Sequence, residues 1–154
     1  SILSKRGTIM KVKDVMTKHT IQIQPEESVS LAARLLEREN IGALPVCDSK
    51  GKLQGMLTDR DIAVRCVAAG KNPNTTPVRD IMSGGVFTVT PGDTLENAAA
   101  LMGKAQVRRL PVCEDGKPVG MLSLADVARQ TNYEMEAAAA LSDISAGVRR
   151  RANS

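Results

Sequence analysis

An internal duplication constrains this chain more than any other feature. Val12-Lys13-Asp14-Val15-Met16-Thr17 returns 66 residues on as Val78-Arg79-Asp80-Ile81-Met82-Ser83. The same offset pairs Pro25 with Pro91, Ala32 and Ala33 with Ala98 and Ala99, and Leu44-Pro45-Val46-Cys47 with Leu110-Pro111-Val112-Cys113. One residue is lost near Gly116, after which an offset of 65 pairs Gly55-Met56-Leu57-Thr58 with Gly120-Met121-Leu122-Ser123, and Asp61 with Asp126. A register kept this long is the signature of a repeat architecture.

Each copy reads as strand, helix, strand, strand, helix. In the first, the strand Thr20–Ile23 precedes a helix that starts at Ser28, a good N-cap, and carries Val29, Ala32, Ala33 and Leu36 at helical spacing. Asn40 and Gly42 end it. Strands Ala43–Cys47 and Leu53–Leu57 flank a turn of Asp48, Ser49, Lys50 and Gly51, and a helix Asp59–Ala69 stops at Gly70. In the second copy the corresponding pieces are the strand Val86–Thr90, a helix from Thr94 to Gln106, strands Leu110–Cys113 and Pro118–Leu122, and a helix after Ser123. The expected divisions are an arm over 1–9, a first repeat over 10–70, a linker over 71–77, a second repeat over 78–131, and a C-terminal helix with a basic tail over 132–154. Halves of about 60 residues bury too little surface to stand alone. The predicted fold is therefore α/β (α+β): two β-α-β-β-α repeats related by a pseudo-two-fold axis, packed sheet to sheet with clefts at their seam, plus a C-terminal helix.

Composition narrows the function. Phe87 and Tyr133 are the only aromatics, so the core is aliphatic and there are no stacking platforms for single-stranded nucleic acid. The net charge of +4 is modest, and its one cluster, Arg149-Arg150-Arg151, reads as a solvated tail. Nucleic acid is not an expected partner. Cys47, Cys66 and Cys113 lack CxxC spacing and read as small buried hydrophobes in a reducing compartment; with His19 as the single histidine they make no metal set. The same lack of a Cys-His or Ser-His-Asp set, and of a P-loop, speaks against an enzyme. No apolar run reaches the ~18 residues a membrane span needs, and no secretory h-region opens the sequence, so the expected location is the cytoplasm.

Taken together, Asp14-Val15-Met16-Thr17, Gly42-Ala43-Leu44-Pro45-Val46 and Gly55-Met56-Leu57-Thr58-Asp59-Arg60-Asp61, with their second copies at Asp80–Ser83, Val107–Val112 and Gly120–Asp126, resemble a tandem pair of cystathionine-β-synthase (CBS) domains, or Bateman module. The resemblance covers about residues 10–131. It is strongest to small stand-alone bacterial and archaeal proteins that contain little besides such a pair. It implies a non-catalytic regulatory module without a catalytic cofactor. Such a module binds AMP, ADP, ATP, S-adenosylmethionine or a dinucleotide, often dimerises, and signals to a separate regulated protein.

In that light the hydroxyl-x-x-Asp pairs carry two compatible roles. Thr58 with Asp61, and Ser123 with Asp126, suit a helix cap. A carboxylate also has acceptor sites enough for both hydroxyls of a ribose. Arg60 can clamp a phosphate bidentately. Arg108 and Arg109 are either surface residues on a helix-to-strand loop or a phosphate contact for a nucleotide whose ribose Asp61 holds; on the second reading the Asp61 site is the more cationic. Adenine needs an apolar slot, for which the candidates are Ile21 or Ile23 with Ala43 and Pro45, and Thr88 or Val89 with Pro111, with backbone contacts from Met16-Thr17 and Met82-Ser83. The competing expectation is a scaffolding homodimer whose clefts stay vacant.

Overall fold

Ser28 and Thr94 open the long helix of each repeat in the same way. In the computed structural model of the chain, which describes residues 9–18, 21–130 and 134–152, the Ser28 hydroxyl accepts from the Leu31 N–H and the Thr94 hydroxyl from the Asn97 N–H, both at 3.1 Å. Each satisfies an amide that a helix start leaves without an intrahelical partner. Both helices end on a residue in the left-handed region, Asn40 at φ 52° and Gln106 at φ 58°. Asn tolerates that conformation better than Gln does.

The elements in chain order are α1 (Val12–Val15), β1 (Thr17–Lys18), α2 (Val29–Glu39), β2 (Ala43–Cys47), β3 (Leu53–Thr58), α3 (Asp59–Asp61), α4 (Leu95–Ala105), β4 (Arg109–Glu114), β5 (Lys117–Ser123), α5 (Leu124–Ala128) and α6 (Glu134–Ala152). A 3₁₀ turn covers Val78–Asp80. The expected helix over 59–69 is regular only at its start, and Ile62–Val67 widens into π-helical turns. The β-branched Ile62, Val64 and Val67 are weak α-formers, and the wider turn keeps both Ile62 and Cys66 against the core. The expected strands ahead of each long helix are reduced to single parallel bridges, Ile23 with Val46 and Val89 with Val112. The C-terminal helix is present. Residues 1–8 of the expected arm, His19, Thr20, residues 131–133 and the last two residues lie outside the described residues, as do the side chains of the Arg149–Arg151 cluster.

The chain forms two compact units that cut across the two repeats. Among the described residues one unit holds 21–86 with 115–118, and the other holds 9–18, 87–114 and 119–152. The segment that precedes each repeat in sequence thus completes the sheet of the other. In the first-repeat unit, β2 and β3 pair antiparallel with Ala43 opposite Thr58, and Met56 bridges to Ser83. In the second-repeat unit, the sheet order is β1-β5-β4, with Thr17 opposite Met121.

The cores repeat this exchange. One is built on Val29, Ala32, Leu36, Leu44, Val46 and Leu57 with Val78 and Ile81. The other is built on Leu95, Ala98, Met102, Leu110, Val112 and Leu122 with Val12, and is extended by Ala137, Ala140 and Ile144 of α6. Burying each such Val or Leu contributes about 1.5–3 kcal/mol, so 12–18 and 78–83 are integral parts of the units they join. Among the described residues no helix is long and apolar enough to cross a membrane.

Candidate ligand site

Two backbone hydrogen bonds fix where each candidate site begins. The Asp59 N–H donates to the Gly42 carbonyl at 3.1 Å, and the Leu124 N–H donates to the Arg108 carbonyl at 2.8 Å. In each repeat the start of one strand therefore lies beside the end of the next strand and the start of its helix. Gly42-Ala43 sits against Thr58-Asp59, and Arg108-Arg109 against Ser123-Leu124.

Both caps form as reciprocal boxes. Thr58 Oγ1 accepts from the Asp61 N–H at 3.0 Å, and Asp61 Oδ2 accepts from the Thr58 N–H at 3.0 Å. Ser123 Oγ accepts from the Asp126 N–H at 3.0 Å, while Asp126 Oδ2 receives the Ser123 N–H at 3.4 Å. The second carboxylate oxygen distinguishes the copies. Asp126 Oδ1 accepts a 2.6 Å hydrogen bond from Arg129 Nη1. Asp61 Oδ1 faces Arg65 Nε at 3.8 Å, beyond hydrogen-bond distance. Arg65 also sends Nη1 toward the carbonyls of Ile81 and Met82 at 3.4 Å each. Arg65 and Arg129 were not anticipated. Their i+4 and i+3 spacing from the two aspartates is the signal that points to them.

The other candidates divide by exposure. Ala43, Pro45, Ile23 and Pro111 are buried, as is Val89; Ile21 is half-buried, and Thr88 is exposed. Arg60, Arg108 and Arg109 are exposed, and their guanidinium groups make no hydrogen bond or ion pair among the described residues. Arg108 and Arg109 line an open cavity of ≈ 560 Å³ with Ser123 and residues of α5 and α6. Among the described residues no three His, Cys, Asp or Glu side chains gather as a metal would require. None of the three cysteines is in a disulfide, and burial pushes the Cys113 thiol above its ordinary value of 9.0.

The glycines before each cap are close-packed. A Cβ on Gly120 would meet Met16 Sδ at 2.7 Å and the Thr17 carbonyl oxygen at 2.8 Å; one on Gly55 would meet the Ser83 carbonyl oxygen at 2.5 Å. The close approach of the exchanged segment explains why both repeats use glycine there.

A family model for the CBS domain matches residues 12–67 and 78–132. The chain is 40% identical over 134 residues to the CBS domain-containing protein YhcV of Bacillus subtilis, an alignment covering 87% of this chain and 94% of that protein. It is 34% identical over 117 residues to hypoxic response protein 1 of Mycobacterium tuberculosis, covering 76% and 82%. Among solved structures, the CBS domain pair of protein MJ0100 in complex with 5′-methylthioadenosine and S-adenosyl-L-methionine aligns with a TM-score of 0.71 at 32% identity, covering 79% of this chain and 94% of that one.

Proposed function

The chain belongs to the CBS-domain family as a tandem pair, and on that premise we propose that it is a sensor of an adenosine-containing ligand whose ribose is held by Asp61. The observation that carries this reading is the state of the Asp61 carboxylate. One oxygen is fixed by the Thr58 N–H, and among the described residues the other has only a 3.8 Å ionic neighbour in Arg65. A ribose hydroxyl can donate to that oxygen without breaking a short hydrogen bond, and the Thr58 hydroxyl keeps a proton to donate. At Asp126 the corresponding oxygen already accepts a 2.6 Å hydrogen bond from Arg129 and has less capacity left for a ribose hydroxyl. Ala43, opposite Thr58 in the sheet, and half-buried Ile21 offer the base an apolar edge. Arg60, whose guanidinium makes no hydrogen bond or ion pair among the described residues, supplies the phosphate contact. The MJ0100 pair, similar in sequence and fold, was solved with two adenosine compounds.

The module performs no chemistry on its ligand in this reading. It signals from the cytoplasm, as a homodimer, to a separate protein. Binding can shift its conformations only by the ligand's differential affinity for them. Calorimetric titration with AMP, ADP, ATP, S-adenosylmethionine and NAD tests the proposal: at least one should bind, and Asp61→Asn should weaken it. A scaffolding role is favoured instead by Val64 and Val67, which stand 49% and 64% exposed on the π-helical segment; dimerisation with no binding of any of these ligands would select it.

A further inference from the structure

We infer that Arg65 is a positioning residue divided between the Asp61 carboxylate and the backbone of Ile81 and Met82, so that a ribose on Asp61 tightens the seating of those two residues. The inference rests on the role of Asp61 proposed above and adds to it a means of response.

Arg65 lies on the π-helical stretch Ile62–Val67, whose wide turn shows in the Ala68 N–H donating to the Ala63 carbonyl at 2.9 Å. Such turns recur at functional sites. The guanidinium is engaged in two directions. Its Nε faces Asp61 Oδ1 at 3.8 Å, and its Nη1 donates to the Ile81 and Met82 carbonyls at 3.4 Å each. All three separations exceed the roughly 2.9 Å of a well-made N–H···O bond. A fork held long on both sides is shared between two attractions, and weakening one favours the other. Hydroxyl donors arriving at Asp61 Oδ1 satisfy part of its charge. Arg65 is then free to close on the carbonyls.

Those carbonyls depend on Arg65. Ile81 is fully buried, and among the described residues no other donor reaches the Ile81 or Met82 carbonyl oxygen. The backbone N–H groups of both residues donate to the Val78 carbonyl, and Ser83 pairs with Met56. Gly84 and Gly85 follow. A Cβ on either would meet nothing within 4 Å, and Gly85 stands at φ 61°. Arg65 thus grips the chain just before a two-glycine connection that leads to Phe87 in the other compact unit. The arrangement belongs to the first repeat alone. The second has Gln130 at the position of Arg65, and its Arg129 bonds to Asp126 and to no backbone carbonyl among the described residues.

Amide exchange at Ile81, Met82 and Ser83 in the full chain, read against the amides of β4, tests the inference. Without ligand, Asp61→Asn removes the competing charge, so exchange at these three amides should slow by about three-fold. The same substitution in an Arg65→Met background should leave them unchanged. Arg65→Lys keeps the charge but has one nitrogen for two tasks, so it too should abolish the response. In the wild type, whichever of AMP, ADP, ATP, S-adenosylmethionine and NAD binds by calorimetry should slow the same amides, and in Arg65→Lys it should not. Unchanged or faster exchange in Asp61→Asn, or slowing that persists without Arg65, would overturn the inference and leave the ribose site at Asp61 standing. So would a bound nucleotide that slows these amides equally in Arg65→Lys. Failure of all five to bind would overturn the functional reading, while the ligand-free comparison still decides the role of Arg65.

Discussion

Asp61 and Asp126 occupy equivalent positions and differ in one neighbour. Each uses an oxygen to close its cap, and only Asp126 has the other in a short bond, to Arg129. Asp61→Asn retains an acceptor for the Thr58 N–H and removes the charge, so it should cost less than about 1 kcal/mol in chemical denaturation while lowering ligand affinity by about ten-fold or more. Gly120→Ala forces a methyl toward Met16 and the Thr17 carbonyl; urea unfolding should show a loss of about 1–3 kcal/mol. The Cys113 thiol, pushed up by burial, holds its proton more tightly in the native state than in the unfolded chain. Its contribution to stability is therefore complete below pH about 9 and is lost as pH rises through the higher native value. Iodoacetamide at pH 8, followed by mass spectrometry, should label Cys113 far more slowly in the native protein than in urea; equal rates would contradict its burial. The caps were legible in sequence because a hydroxyl three residues before an Asp has one strong local geometry. The arginine partners were not, because long side chains at i+3 or i+4 can reach the carboxylate but need not.

At the scale of elements, α6 and the π-helical segment set the two repeats apart. The helical character of 134–152 follows from its alanines, yet their abundance also hid its docking face, since no stripe stands out from an alanine-rich background. The contact at Gly103 with Ala140 settles that face. Ala140→Leu should overfill it, release α6 and lower the far-UV helical signal, with a stability loss of about 1–3 kcal/mol; an unchanged melting curve would show that α6 contributes little to the fold. The strand-like stretches before each long helix are shorter than their composition suggests: β-branched residues at 86–90 favour extended backbone, but among them only Val89 finds a bridging partner in the described residues, at Val112. The capping box at Thr58 predicts a helix start and says nothing about the turns that follow, so the π-helical stretch is not legible from it.

For the whole molecule, the duplication determined most of the fold. It could not reveal that the segments at 12–18 and 78–83 are exchanged between the compact units, because a sequence repeat fixes what recurs and not which copy a connecting segment joins. The cores show the exchange directly, with Val12 packed among residues of the second repeat and Val78 and Ile81 among those of the first. The central claim, that Asp61 holds the ribose of an adenosine ligand, is tested most directly by thermal unfolding with AMP, ADP, ATP, S-adenosylmethionine and NAD. A binder at 100 times its dissociation constant adds about 2.7 kcal/mol, or about 5–10 °C for a chain of this size. The account predicts such a shift for at least one ligand, with more of it lost in Asp61→Asn than in Asp126→Asn. No shift with any of the five, or a greater loss in Asp126→Asn, would contradict it.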